Sequence, residues 1–179
     1  MLRGEKVLLR PLTRDDFIAL YALHSDVVAW SAATPQPWTP RSLEIELVAY
    51  DKRIAEQTDD ASATDFAIQA IDGGQLLGVG NLWGIDAHNR LAHVGIALLP
   101  DARGKSYATD VLRVLCDYAF RIRGLNRLGL ETLVNNAPMI AAARKAGFVE
   151  EGVLRDHAWL AGEFVDEAFF GLLSRDWKA

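Results

Sequence analysis

Apolar and polar residues alternate along this chain with two periods, one typical of β-strands and the other of helices. Apolar residues three or four positions apart predict helices over 17–24, 41–57, 105–123 and 137–146. Alternating or continuous apolar runs predict strands at 7–10, 64–71, 75–83, 90–99, 127–134, 148–159 and 164–173. This order predicts an α/β fold with a mixed, mostly antiparallel sheet and helices on both faces.

Local signals mark several boundaries of these elements. Thr13 is predicted to cap the first helix, because a side-chain oxygen there can accept from the free amides of the first turn. Asp72-Gly73-Gly74 is typical of a tight hairpin turn. Prolines interrupt the segment 25–40, which is predicted to be irregular. The chain contains no internal repeat, low-complexity tract or linker, so we expect residues 1–179 to form one domain.

Composition and charge narrow the classes of function. Half of the 179 residues are hydrophobic, which is typical of a globular protein. The net charge of −5 argues against a broad nucleic-acid interface, which needs a basic surface. No apolar run has membrane-spanning length and no signal peptide is visible, so we expect a cytoplasmic location. The single cysteine, Cys116, lies in an apolar helical stripe, which predicts a core residue rather than a nucleophile.

The turn at 103–108 is the strongest candidate for a binding site. It lies between a predicted strand and a predicted helix, so unpaired helix amides point into it. Gly104 lets the backbone approach an anion closely. Arg103 and Lys105 add positive charge, and Ser106 offers a hydroxyl. The glycine spacings of a P-loop and of a Rossmann site are both missing, so the turn predicts a phosphate site of another kind.

Several motifs of the chain resemble one known family. Arg103-Gly104-Lys105-Ser106-Tyr107-Ala108 resembles the acetyl-CoA motif of the GNAT acetyltransferases, Arg/Gln-x-x-Gly-x-Gly/Ala, with a serine in place of the usual central glycine. Val7-Leu8-Leu9-Arg10-Pro11-Leu12 resembles the family's opening, and Asn136 followed by Gly147-Phe148 resembles its second motif. Glu151-Gly152-Val153-Leu154-Arg155 resembles the branch that acetylates the N-termini of ribosomal proteins. The matches occur in order over nearly the whole chain.

This resemblance implies a GNAT-type fold and a coenzyme site. In such a fold two neighbouring parallel strands splay apart and the pantetheine arm of acetyl-CoA lies between them; here those strands are 93–99 and 127–134. The backbone of 96–98 would pair with pantetheine, and the amides of 103–108 would hold the pyrophosphate. No metal is implied. The implied coenzyme-binding residues are Ile96, Ala97, Leu98, Arg103, Gly104, Lys105, Ser106, Tyr107, Ala108, Asn136 and Arg144.

Acyl transfer to an amine requires a base, because amines are mostly protonated at neutral pH. Glu131 is the first candidate: a glutamate at this spacing before Asn136 resembles the base of a ribosomal alanine acetyltransferase group. His93, on the neighbouring predicted strand, is the second candidate, because imidazole is suited to proton transfer near neutral pH. Each residue has a structural alternative, Glu131 as the partner of an arginine and His93 as a hydrogen-bonded strand residue.

The chain lacks the side chains that act as general acid in relatives. A Ser or a Tyr stands in relatives where this sequence has Met139 and Ala143, neither of which can donate a proton. Water, Asn136 or a backbone amide would then stabilise the leaving sulfur, or the thiolate would leave unassisted. A further alternative is a non-catalytic acyl-CoA-binding sensor.

The acceptor is predicted to be a primary amine. Trp30 and Trp38, in the irregular segment, and Trp83 are candidates for its pocket, because large aromatic side chains supply rigid contact area. The resemblance of the tail favours a protein or peptide N-terminal α-amine, with a small amine such as an aminoglycoside or a polyamine as the alternative. Relatives are monomers or homodimers, and the sequence does not distinguish these states.

Overall fold

The computed structural model describes residues 1–27, 30, 37–56 and 62–178. The irregular segment 25–40 therefore lies partly outside the described residues. The described elements are β1 (Leu2–Arg3), β2 (Val7–Pro11), α1 (Arg14–Ser25), α2 (Leu43–Ala55), β3 (Ala63–Ala70), β4 (Leu76–Asp86), β5 (Leu91–Leu98), α3 (Tyr107–Asp117), β6 (Arg127–Leu133), α4 (Ala137–Lys145), β7 (Val149–Leu160) and β8 (Glu163–Leu173). A 3₁₀ turn, Pro100–Ala102, precedes α3, and a π-helical turn, Tyr118–Ile122, extends it.

The described strands form one sheet in the order β1-β2-β3-β4-β5-β6-β8-β7. Neighbouring strands run antiparallel except β5 and β6, which are parallel. This confirms the predicted mixed, mostly antiparallel sheet. The parallel pair lies near the middle of the sheet, and α3 forms the crossover that lets its two strands run parallel. None of the helices in the described part of the chain is long and apolar enough to cross a membrane.

Helices cover both faces of the sheet, as predicted. Gly80 of β4 lies under α3, since a Cβ on it would be 3.3 Å from Val111. The next residue, Asn81, points to the other face, where its amide donates to Asp65 over 3.3 Å. Asp65 also pairs with Arg53 of α2 at 2.7 Å. The side to which Asn81 and Asp65 point is called the α1/α2 face below.

The core lies mainly between the sheet and α3. Val111, Leu112 and Leu115 of this helix are fully buried and pack with apolar residues of the strands. Cys116 lies in the same core with no exposed surface, which confirms its predicted structural role. Burial raises the pKa of the Cys116 thiol, because the thiolate would lose its hydration there.

Capping interactions set the helix boundaries. Thr13 caps α1 and forms a reciprocal capping box with Asp16, which confirms the predicted start. Hydrogen bonds from Arg10, at 2.6 and 2.8 Å, hold the pKa of Asp16 well below its usual range. Helix α2 begins after Ser42, whose hydroxyl accepts from the Ile45 amide. It is therefore shorter than the predicted 41–57.

Asp110 ties the start of α3 to the N-terminal segment of the chain. Its carboxylate accepts three backbone N–H groups, from Glu5 at 3.1 Å, Lys6 at 2.7 Å and Val7 at 3.0 Å. The side chain is buried, with the residue only 8% exposed. Because three amides lose their water on folding, this one carboxylate satisfies groups that would otherwise be left unpaired.

Asp110→Ala is expected to lower the free energy of unfolding by about 3 kcal/mol, since it leaves three amides without an acceptor. Urea denaturation measures this loss. Asp117→Ala is the matched control on the same helix, because the Asp117 side chain forms an exposed pair with Arg121 at 3.1 Å. That control should cost less than about 0.5 kcal/mol. Equal losses in the two variants would contradict the role given to Asp110.

Candidate active site

Strands β5 and β6 part from each other after three residue pairs. The pairs are Leu91 with Arg127, Ala92 with Leu128, and His93 with Gly129. Beyond the last pair the two strands continue without pairing to each other, so the sheet opens into a V whose apex is at His93 and Gly129. This is the splayed pair that the family resemblance implies.

The open edge of β5 presents the backbone of alternate residues to the V. Leu99, just after β5, donates its N–H to Leu77 of β4 over 2.9 Å. Because successive strand residues turn their backbone groups to opposite edges, Ala97 also faces β4, whereas Ile96 and Leu98 face the V. Of the three residues predicted to contact pantetheine, Ile96 and Leu98 therefore face the V and Ala97 does not. The Leu98 carbonyl accepts from Arg103 Nε at 3.1 Å.

The turn at the far end of β5 has the geometry of an anion site. Gly104 has φ of +74° and no atom within 4 Å of where a Cβ would be, so its backbone is open to a ligand. Ser106 precedes α3 with φ of +63° and makes no side-chain cap hydrogen bond. The first amides of α3, at Tyr107 and Ala108, point toward this turn. The exposed Lys105 adds positive charge.

The left-handed conformation of Ser106 gives the family's glycine at this position a physical reason. Glycine adopts positive φ freely, whereas an L-residue there costs roughly 1–2 kcal/mol. The same conformation ends the turn and starts α3 at Tyr107, two residues after the predicted start at Lys105.

The distance from this turn to the apex suits an extended ligand arm. Leu98 lies five positions after His93, and a strand rises about 3.3 Å per residue, which gives roughly 17 Å. This is comparable to the length of an extended pantetheine arm. A coenzyme with its pyrophosphate on the turn would therefore bring its sulfur close to the apex.

His93 and Glu131 meet at the apex, on the α1/α2 face. His93 Nδ1 and Glu131 Oε1 lie 2.9 Å apart, and their side chains are 30% and 22% exposed. Their relative direction does not suit N–H donation, and Nδ1 has no hydrogen-bond partner within the described ranges. The contact is therefore close without being a directed hydrogen bond, and both side chains remain candidates for the base.

A row of residues in register across the sheet forms the surface at the apex. Trp83, His93, Gly129 and Gly171 follow one another in register on four neighbouring strands. Trp83 stacks on the His93 ring, with centroids 4.4 Å apart and an interplanar angle of 25°. A Cβ on Gly129 would lie 2.7 Å from His93 Nδ1, so this ring requires glycine beneath it. The structure therefore places Trp83 against a candidate base.

Trp30 and Trp38 are brought together at a different place. They line a cavity of about 550 Å³ together with Tyr21, His24, Arg41 and Glu46. Trp38 donates its indole N–H to the His24 carbonyl at 3.1 Å. Burial lowers the pKa of His24, because the imidazolium would be poorly hydrated there. Trp83 is not among the residues that line this cavity.

Asn136 and Arg144 have partners within the protein. Asn136 caps α4, accepting from the Met139 amide at 3.3 Å and donating to Thr132 at 3.0 Å. Arg144 forms an exposed pair with Glu150 at 2.7 Å. Both side chains would have to exchange these bonds to contact a coenzyme.

In the described ranges no group of three or more His, Cys, Asp or Glu side chains is placed to hold a metal.

Some residues of the site carry no signal in the sequence. Gly129 and Gly171 are single glycines in apolar strands, and only the register of the sheet places them in one row. Phe169 lines a cavity of about 90 Å³ with His93 and Glu131, although it lies far from both in the chain. Ala143, at one of the two positions where relatives carry an acid, is fully buried among core residues.

The chain matches known acetyltransferases. Residues 6–149 match the family model described as acetyltransferase (GNAT) domain. YdaF of Bacillus subtilis, provisionally named a ribosomal N-acetyltransferase, is 34% identical over 105 residues, which span 59% of this chain and 57% of YdaF. The spermidine N(1)-acetyltransferase of Escherichia coli K12 is 29% identical over 164 residues, or 90% of this chain and 82% of that protein.

A solved structure resembles the fold over nearly its full length. The crystal structure of spermidine N-acetyltransferase from Vibrio cholerae in complex with CoA and spermine superposes with a TM-score of 0.84. The identity is 25%, and the alignment covers 95% of this chain and 96% of that one.

Gly104→Asp is expected to weaken CoA binding about 100-fold, equivalent to about 3 kcal/mol, because the new carboxylate repels the pyrophosphate. Aspartate tolerates positive φ better than most residues, and the space at 104 is open, so the fold should survive. Isothermal titration calorimetry with CoA measures the affinity.

Ser106→Gly is the control for the same turn. It should keep CoA binding while raising the free energy of unfolding by about 1 kcal/mol, since it relieves the left-handed serine. Unchanged CoA affinity in Gly104→Asp would mean that the pyrophosphate binds elsewhere.

Proposed function

The chain belongs to the GNAT acetyltransferase family, and from this premise we propose that it transfers an acetyl group from acetyl-CoA to a primary amine of a polyamine. The observation that carries the choice of acceptor is the likeness to spermidine N-acetyltransferases, which extends over at least 90% of the chain in both sequence and structure. We further propose that residues 1–179 act as one acetyltransferase domain in the cytoplasm.

The sequence alone favours a different acceptor, with the polyamine as an alternative. The tail motif favoured a protein N-terminus, and this remains the second candidate because YdaF has the highest identity among the relatives described above. That match, however, spans little more than half of YdaF. The comparisons thus support the polyamine more than the protein N-terminus.

The coenzyme lies in the V in this proposal. Its pyrophosphate binds the amides at 104–108 with Arg103 and Lys105 nearby, and its pantetheine arm pairs with the open edge of β5 at Ile96 and Leu98. The thioester carbonyl then lies at the apex. Holding both reactants there replaces a bimolecular encounter by an oriented one, which is a large part of the rate gain in acyl transfer.

The acceptor reaches the apex from the α1/α2 face. Its ammonium gives one proton to Glu131, with His93 as the alternative base, and the freed lone pair attacks the thioester carbon. A C–N bond forms and the C–S bond breaks, so that CoA leaves as the thiolate. The second nitrogen proton is lost as the amide forms, and the thiolate takes up one proton, so the net reaction releases one proton.

A panel of acceptors tests the proposed substrate. We expect spermidine and spermine to give kcat/KM at least about 10-fold above peptides with N-terminal Ala or Ser and above an aminoglycoside, a difference of about 1.4 kcal/mol. Release of the CoA thiol measures turnover for each acceptor.

The rival candidates predict different outcomes of the same panel. Turnover confined to peptides would support the protein N-terminus. Tight CoA binding without turnover of any acceptor would identify a sensor rather than an enzyme.

Glu131→Gln is expected to lower kcat at saturating spermidine by about 100-fold or more, because it removes the base while keeping the shape of the side chain. CoA affinity should stay within about two-fold, since the proposed coenzyme contacts are elsewhere. Stopped-assay kinetics and calorimetry separate the two quantities.

His93→Ala distinguishes the two candidate bases. If Glu131→Gln leaves kcat unchanged and His93→Ala removes it, the base is His93. Equal effects of both variants would indicate that His93 and Glu131 act as one unit.

A further inference from the structure

The α1/α2 face carries a second histidine–carboxylate pair beyond the apex. His157 Nδ1 lies 2.7 Å from Glu167 Oε2. The Glu167 side chain is 20% exposed and that of His157 is 48% exposed. Within the described residues, His157 is the hydrogen-bond partner of one Glu167 oxygen, and the other oxygen has none.

Strand register places this pair next to Glu131. Glu131 of β6 is paired with Phe169 of β8, so their side chains leave the same face. Glu167 lies two residues before Phe169 and therefore also points to this face. Its Cα is a diagonal neighbour of that of Glu131, roughly 8 Å away. Phe169 is adjacent to both positions, as the cross-strand partner of Glu131 and as the same-face neighbour of Glu167.

A bulge in β7 turns His157 toward the same place. Three residues of β7 lie opposite Asp166 alone, and Asp156 among them has φ of +52°. The Asp156 amide donates to the Asp166 carboxylate over 2.9 Å, which holds the bulge. His157 then contacts the Phe169 ring edge-on, with centroids 5.9 Å apart at 78°. Bulges re-aim side chains in this way next to active sites.

The side chains form a continuous series along the face. Trp83 stacks on His93, His93 contacts Glu131, Phe169 is the cross-strand partner of Glu131, and the His157–Glu167 pair follows. One histidine–carboxylate pair thus lies on each side of Phe169. A partly exposed contact of this kind adds little to stability, so its contribution to folding does not account for the bulge that orients it.

We infer that Phe169 and Glu167 form a subsite for a second ammonium group of the acceptor, and that His157 positions the Glu167 carboxylate. The inference rests on the proposed function, in which the reacting amine lies beside His93 and Glu131. An ammonium separated from that amine by a short methylene chain reaches the Phe169 ring and then the free oxygen of Glu167. Aromatic rings attract cations, and a charge-assisted hydrogen bond fixes the nitrogen.

This subsite makes the enzyme selective for acceptors with at least two cationic nitrogens. A monoamine, or a peptide whose second position is uncharged, fills the apex but leaves Glu167 without a partner. The selectivity therefore depends on one carboxylate that takes no part in the chemical step, and it can be removed without removing the reaction.

Putrescine and butylamine test the subsite, because they share the reacting amine and chain length and differ in the second amine. Wild-type protein should prefer putrescine in kcat/KM. Glu167→Gln should reduce this preference about 10- to 100-fold, the range for a hydrogen bond between charged groups. Turnover of butylamine and CoA affinity should stay unchanged. The loss should be mainly in KM.

Glu163→Gln is the matched control, with the same charge change on the same strand and face, four residues and about 13 Å away. It should keep the putrescine preference. His157→Asn should lower the preference less than Glu167→Gln, because it only frees the carboxylate. Phe169→Leu provides a second variant that removes the ring without changing charge, and it should also raise KM for putrescine.

Three results would overturn the subsite, and they differ in what they say of the proposed function. A putrescine preference that survives in Glu167→Gln would contradict the subsite but would leave the proposed polyamine acetylation intact. Equal losses for putrescine and butylamine would show that Glu167 supports the whole site rather than a second amine. Wild-type turnover of peptides alone would instead refute the proposed function, and the subsite with it.

Discussion

The parting of β5 and β6 after three residue pairs is the constraint on which the site depends. A parallel pair at the centre of a sheet normally stays paired, because each unpaired backbone group loses a hydrogen bond. Here Ile96 and Leu98 turn their backbone groups into the opening instead. In the proposed function the pantetheine arm, which is extended and carries amide groups, pairs with this edge and completes the sheet, as an added strand does in peptide recognition. The turn at 103–108 and the candidate bases at the apex then lie at the two ends of that arm.

The geometry of the apex depends on two positions of the sheet that carry no side chain. Gly129 and Gly171 stand side by side in the row that begins with Trp83 and His93. The His93 ring lies over the first glycine, and the Glu151 carboxylate, paired with Arg127, lies over the second. Any side chain at either position would displace these groups. The row therefore fixes His93 beside Glu131 without a directed hydrogen bond, and both groups remain accessible to a substrate.

The sequence predicts the elements well because their signals are local. Thr13, Asp72-Gly73-Gly74 and the apolar stripes act within a few residues, and most observed boundaries lie within about two residues of the prediction. Strand β4 runs three residues past its predicted end, to Asp86, and the two-residue β1 was not predicted. What the sequence could not predict depends on register and on unusual backbone. The start of α3 follows from the left-handed Ser106, and the position of His157 follows from a bulge. Asn136 was predicted from its motif as a ligand contact, yet its amide bonds show that it also caps α4.

The lack of a side-chain acid at Met139 and Ala143 changes what the protein has to supply. Both residues pack with the core, so neither position serves the leaving group. A thiol is, however, more acidic than a protonated alkyl amine by about two pKa units, so the thiolate is the better leaving group even before the nitrogen of the tetrahedral intermediate loses its proton. The demanding step is then removal of the proton from the ammonium, which needs a base and a fixed acceptor. Glu131 and His93 at the apex are candidates for this base. In the proposed subsite, a second contact to a distant cationic nitrogen fixes the acceptor. A site of this kind loses little by lacking an acid and gains most from holding a doubly charged amine in place.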